Sequence, residues 1–106
     1  MGVKTKIEEW LEELREEKKE IESRMAQAKV NVEVAQVKFS IAYDAQGKVS
    51  QSGKEDFYNM YMKNLEDNRN SLVDNYEKIK ENNTKELKYV NVMIEQVERA
   101  VKDLDN

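Results

Sequence analysis

The sequence predicts an all-α protein: a long antiparallel two-helix hairpin, coiled-coil-like, that associates into a four-helix bundle. Three observations predict it. Proline is absent from the 106 residues and glycine occurs only at Gly2, Gly47 and Gly53, so the two residue types that break helices leave long stretches untouched. Charged residues make up 38% and hydrophobic residues 39%, a mixture typical of coiled coils and long helices. Apolar residues also recur in alternating steps of four and three on both sides of one glycine-bearing connection, which is heptad spacing.

The first helix is expected over about residues 6–46. Thr5-Lys6-Ile7-Glu8 fits a capping box, in which Thr5 would accept from a backbone N–H and Glu8 would reach back. The stripe that follows runs Ile7, Leu11, Leu14, Ile21, Met25, Ala28, Val32, Ala35, Phe39 and Ala42, interrupted only by Lys18. Gly47 is expected to close the helix in a left-handed conformation. A connection over about 47–52 leads to a second capping box, Ser52-Gly53-Lys54-Glu55, and to a second helix over about 53–104. Its stripe runs Tyr58, Met62, Leu65, Leu72, Tyr76 and Ile79, then Leu87, Val90, Ile94, Val97, Val101 and Leu104. The step from Ile79 through Asn83 to Leu87 is one residue longer than a heptad and reads as a stutter. On the solvent faces, i,i+4 spacing predicts the pairs Glu20–Arg24, Asp74–Lys78, Glu81–Lys85, Glu95–Arg99 and Glu98–Lys102. Residues 1–106 read as one hairpin domain.

The two stripes fit each other. Equal rise on both helices pairs residues whose numbers sum to about 100. Ile7 then meets Ile94, Leu11 meets Val90, Leu14 meets Leu87 and Met25 meets Tyr76. Small residues face large ones: Ala28 near Leu72, Ala35 opposite Leu65 and Ala42 opposite Tyr58. Lys18 falls near Asn83, forming a polar layer that fixes register. A rival reading exists for residues 29–43. Val30, Val32 and Val34 alternate, as do Val37, Phe39, Ile41 and Tyr43, which is strand periodicity in β-prone residues. It would give helix, β-hairpin, helix, as in prefoldin-like subunits. The same residues fit helical spacing twice over, and no turn residue separates Val34 from Val37, so the helix is preferred.

That double fit is also the functional signal. Val30, Val34, Val37 and Ile41 form a second stripe beside the seam, and Phe57, Met60 and Tyr61 lie near them in the hairpin. Two helices cannot bury two seams each, so the surplus predicts a surface for another copy or a helical partner; a dimer is favoured. The pairing rule also makes Val97, Val101 and Leu104, with Ala100, an unpaired apolar overhang beyond the start of the first helix.

Several functions are excluded. The chain has neither cysteine nor histidine, which removes thiolate chemistry, the usual general base and the commonest metal ligand. The glutamate pairs at 8–9, 12–13 and 16–17 flank the seam and read as a solvated face. No glycine-rich phosphate loop, nucleophile elbow or zinc spacing is present. No enzyme activity, cofactor or metal is therefore expected. The net charge is -4, from 18 basic and 22 acidic residues, which argues against direct nucleic-acid binding. No apolar run approaches the roughly 18 residues that a membrane span needs, and the first residues lack the apolar core of a signal peptide, so a cytoplasmic protein is expected, with leaderless export as the alternative.

The primary functional expectation is a non-enzymatic interaction or structural module acting through apolar helix faces. A second is a secretion-associated or chaperone-like protein. In size and hairpin outline the chain resembles the small secreted Trp-x-Gly helical hairpins, although Trp10 is followed by Leu11-Glu12. A third is a small acidic inhibitor, of the kind phages encode, that blocks a nucleic-acid-binding protein.

Overall fold

The computed structural model describes residues 2–105 and is all-α, an antiparallel pair of long helices with no strand among the described residues. Helix α1 runs unbroken over Val3–Gln46, so residues 29–43 are helical and the β-hairpin reading does not hold. A 3-10 turn at Gln51–Gly53 leads into α2, Lys54–Phe57. A π turn at Tyr58–Met62 then continues directly into α3, Lys63–Asp105. The described chain forms two compact units: residues 2–25 with 80–105, and Ala26–Ile79.

The unit formed by 2–25 and 80–105 holds the larger apolar core. Leu11, Leu14 and Ile21 of α1 are buried with Val90 and Val97 of α3, and Ile7, Leu87, Ile94 and Val101 pack against them. Ile21 is only 1% exposed. Burying a side chain of this size removes enough apolar surface from water to stabilise by about 1.5–3 kcal/mol. Lys4 pairs with Asp105, Arg15 with Glu98 at 3.8 Å and Arg24 with Glu86 at 3.2 Å. The Asp105 carboxylate, hydrogen-bonded to the Lys4 ammonium, raises it above the ordinary lysine value of 10.5.

These contacts correct the expected register. Val97 is buried at 4% exposure and Val101 is half-buried against the same core, so neither overhangs; only Leu104 and Ala100 remain exposed. Asn83 is buried and its Nδ2 donates to the Ile21 carbonyl at 3.4 Å, nearly one helical turn beyond the half-buried Lys18 expected to face it. The physical reason lies in the connection. The 3-10 and π turns use residues with a different rise from straight α-helix, so equal rise from a midpoint misplaces the partners. The shift also redirects surface charges: Glu95–Arg99 forms at 2.8 Å as expected, but Arg24 and Glu98 bond across the helices.

Ala26–Ile79 is packed differently. Its buried apolar residues are Ala28, Val32, Ala35, Ala42 and Met62, three of them alanine. The larger seam residues Phe39, Tyr58, Leu65, Leu72, Tyr76 and Ile79 are only half-buried.

Neither capping box forms. Helix α1 already includes Thr5, and α2 begins after Gly53 without a side-chain cap. No described glycine has a positive φ, so Gly47 does not close α1 in the left-handed way. The helix tightens instead: Gly47, Lys48 and Val49 donate to the carbonyls three residues back, at 3.1, 3.0 and 3.1 Å. What Gly47 supplies is room, since a Cβ there would sit 3.2 Å from the Asp44 carbonyl oxygen. Lys54 Nζ then donates to the Gln46 carbonyl at 3.0 Å, and Gln46 Nε2 to the Lys54 carbonyl at 3.4 Å. A cation at a helix C-terminus satisfies an orphan carbonyl and complements the dipole.

Two predictions follow from the 2–25/80–105 core. Ile21→Ala should destabilise the protein by about 2–5 kcal/mol, the usual cost of emptying a buried aliphatic site, measured by urea denaturation; a change within about 0.5 kcal/mol, as for a surface site, would place Ile21 outside the core. Asn83→Leu should raise the midpoint of thermal unfolding, because a polar residue in a seam sets register at a cost in stability. A lower midpoint would show that the Asn83–Ile21 bond contributes more than the amide's burial costs.

Candidate interaction surface

The surplus stripe lies within Ala26–Ile79, on the α1 face turned away from the alanine-rich seam. Val30, Val34, Val37 and Ile41 are exposed, at 48%, 47%, 58% and 63%. The cause is local geometry. Positions 28, 32, 35 and 42 face the second helix, and at 100° per residue the positions 30, 34, 37 and 41 fall on another face. The second helix of this unit leaves all four largely exposed, although its residues share grooves with Val34 and Ile41.

From the second helix, Met60 and Tyr61 are exposed, at 66% and 55%, and Phe57 is half-buried. The π turn helps to set this edge. Lys63 N–H donates to the Tyr58 carbonyl, five residues back, which inserts a residue into the α pattern and re-aims the side chains beside it. Met62 turns inward to near-complete burial while Met60 and Tyr61 turn out. Phe57 and Tyr61 stack in a tilted pair with ring centroids 5.2 Å apart.

Two open grooves lie on this side. One, of about 400 Å³, is lined by Lys38, Ile41, Ala42, Phe57, Tyr61 and Leu65. The other, of about 210 Å³, is lined by Asn31, Val34, Ala35, Lys38, Asn68 and Leu72. Lys38 belongs to both, so the grooves join into one face. Its lining is apolar apart from the Asn31 and Asn68 amides, the Lys38 ammonium and the Tyr61 hydroxyl. Elsewhere in this unit, Arg69 lies over the Phe39 ring at 4.4 Å, a cation–π contact.

Of the sequence-derived surface residues, the structure therefore brings together Val34, Ile41, Phe57 and Tyr61 along the grooves, with Val30, Val37 and Met60 exposed in the same unit. Val97 and Val101 belong to the other unit's core, and Leu104 is exposed at 45%. Trp10 is 41% exposed. The sequence reading missed Tyr89, Val92 and Met93, exposed at 65%, 53% and 39%. Part of the signal was present: Tyr89 and Met93 lie at i, i+4 on α3, beside the seam positions 87, 90 and 94. Among the described residues, no three His, Cys, Asp or Glu side chains converge as a metal site would require, and no helix is long and apolar enough to cross a membrane. No protein family, curated protein or solved structure matches the chain.

Beside the face, the Tyr58 hydroxyl donates to Glu66 Oε2 at 3.0 Å. That bond stabilises the neutral phenol and, with partial desolvation and the negative charges of Glu66 and Asp67, raises its pKa above 10.0. Because the folded value lies above the unfolded one, this contribution to stability is complete below about pH 10 and is lost as pH rises through the folded pKa. Titration of Tyr58 followed by NMR should therefore show a midpoint that moves down in Glu66→Gln; an unmoved midpoint would show that the carboxylate does not hold the phenol proton.

Proposed function

We propose that this protein is a non-enzymatic interaction module, and that Ala26–Ile79 docks on protein through the face bearing Val30, Val34, Val37, Ile41, Phe57, Met60 and Tyr61. The observation that supports this reading is the continuous apolar stripe left exposed on α1. Single exposed apolar residues are ordinary, whereas a contiguous patch marks a binding surface or an aggregation liability. The stripe's i, i+4, i+7, i+11 spacing suits a helix laid alongside it. Depletion of charge is what distinguishes the centre of a protein interface from other surface, and Lys38 is the lone ion of the grooves.

Photo-cross-linking in the cells that make the protein tests the reading. A reactive side chain placed at Val34 or Ile41 should give one discrete cross-linked product. At Gln36, on nearly the opposite side of the helix, it should give none. Val34→Asp together with Ile41→Asp should weaken the association at least about tenfold, since an unpaired charge is costly to bury. Equal products from positions 34 and 36, or an unchanged yield in the double variant, would remove this face from the binding surface.

A further inference from the structure

Resting on that docking surface, we infer that its occupant is a second copy of this chain, two Ala26–Ile79 units together forming a four-helix bundle. The first ground is the core of this unit. Its buried apolar residues are three alanines, one valine and one methionine, while Val30, Val34, Val37, Ile41, Met60 and Tyr61 are exposed. A helix pair packed on alanines brings its backbones close but hides little surface. Covering the exposed stripe would add the burial that this unit lacks. A copy of the same chain is the one partner present at matching concentration wherever the protein is made.

The second ground is chemical. A twofold interface sets one patch against itself, so its groups must be self-complementary. The amides of Asn31 and Asn68 line the second groove, and an amide both donates and accepts. It can therefore bond to its own counterpart, as a carboxylate or an ammonium cannot. Gln27 Nε2 already donates to Asn31 Oδ1 at 3.0 Å, extending the uncharged polar edge by a turn. Lys38 is the exception, and its long stem can lie along the groove with the ammonium at the rim.

The third ground is area. From Gln27 to Ala45 the face rises about 27 Å along α1, and two helices side by side are about 20 Å across, so each copy offers about 500 Å². Together the copies would bury about 1,000 Å², the lower limit for a specific interface and in keeping with a dimer that dissociates on dilution.

Sedimentation of the full chain over a dilution series tests the inference, with circular dichroism on the same samples. The wild type should be a dimer that dissociates on dilution. Val34→Asp/Ile41→Asp should be a monomer of undiminished helicity. Lys38→Met, which removes the one ammonium lining the grooves, should dimerise several-fold more tightly at low salt. In case the double variant does not fold, the absence of cysteine offers a second measure: Val34→Cys or Ile41→Cys should form a disulfide-linked dimer readily on oxidation, and Gln36→Cys should not. A wild type that stays monomeric at every concentration, and whose position 34 cross-links to a different protein, would overturn the second copy as occupant while leaving the docking surface intact. A dimer that survives both aspartates, with equal oxidation at positions 34 and 36, would overturn the docking surface and the inference together.

Discussion

Two helices can hide only one stripe each from water, and the rest of this structure depends on how that limit is met in each unit. Where 2–25 meets 80–105, the inward stripes carry leucine, isoleucine and valine, and the outside is charged except for exposed apolar residues such as Trp10, Tyr89, Val92 and Met93. There the inward stripes are those the periodicity marks, paired in a shifted register, and they supply large side chains to the core. In Ala26–Ile79 the inward stripe of α1 is small and the outward one is large. The same limit leaves apolar surface in solvent, and the interaction reading grows from that mismatch.

The alanines explain why the mismatch persists. Ala28, Ala35 and Ala42 recur every seven residues on the inward face of α1. Larger residues there would push the helices apart and bury more surface within the unit. With alanine, the second helix can come close, and its own bulky residues are left half in water at the flanks. Phe57 and Tyr61 stack there, and Leu65 and Leu72 line the grooves. The apolar face is thus a consequence of close approach as much as of the valine and isoleucine stripe. The π turn belongs to the same economy, since one inserted residue lets Met62 enter the seam while Met60 and Tyr61 face outward.

The connection shows how local chemistry can replace the expected caps. Gln46 and Lys54 bond to each other's carbonyls, so the end of one helix and the start of the next are tied by two side chains. Gly47 contributes space instead of an unusual φ. The predicted caps at Thr5 and Ser52 fail because a capping motif offers only a local bond, while helix boundaries also answer to packing and to tertiary partners such as Asp105 for Lys4.

By itself the sequence determined the class, the position of the connection, the inward stripes and the surplus stripe at 30, 34, 37 and 41, because each is a matter of periodicity, and periodicity follows from helix geometry alone. It also left 29–43 open to a strand reading, since valine, phenylalanine and isoleucine at alternating positions satisfy both periods; the unbroken α1 excludes that reading. Register was decided only by the tertiary structure. Whether Asn83 meets Lys18 or Ile21, and whether Val97 is core or overhang, depends on how many residues the 3-10 and π turns consume. Those turns arise from backbone bonds at Gly53 and Lys63 that no residue pattern announces. A small change of rise near the connection is carried to the far end of both helices, which is why the stripes were legible and their pairing was not.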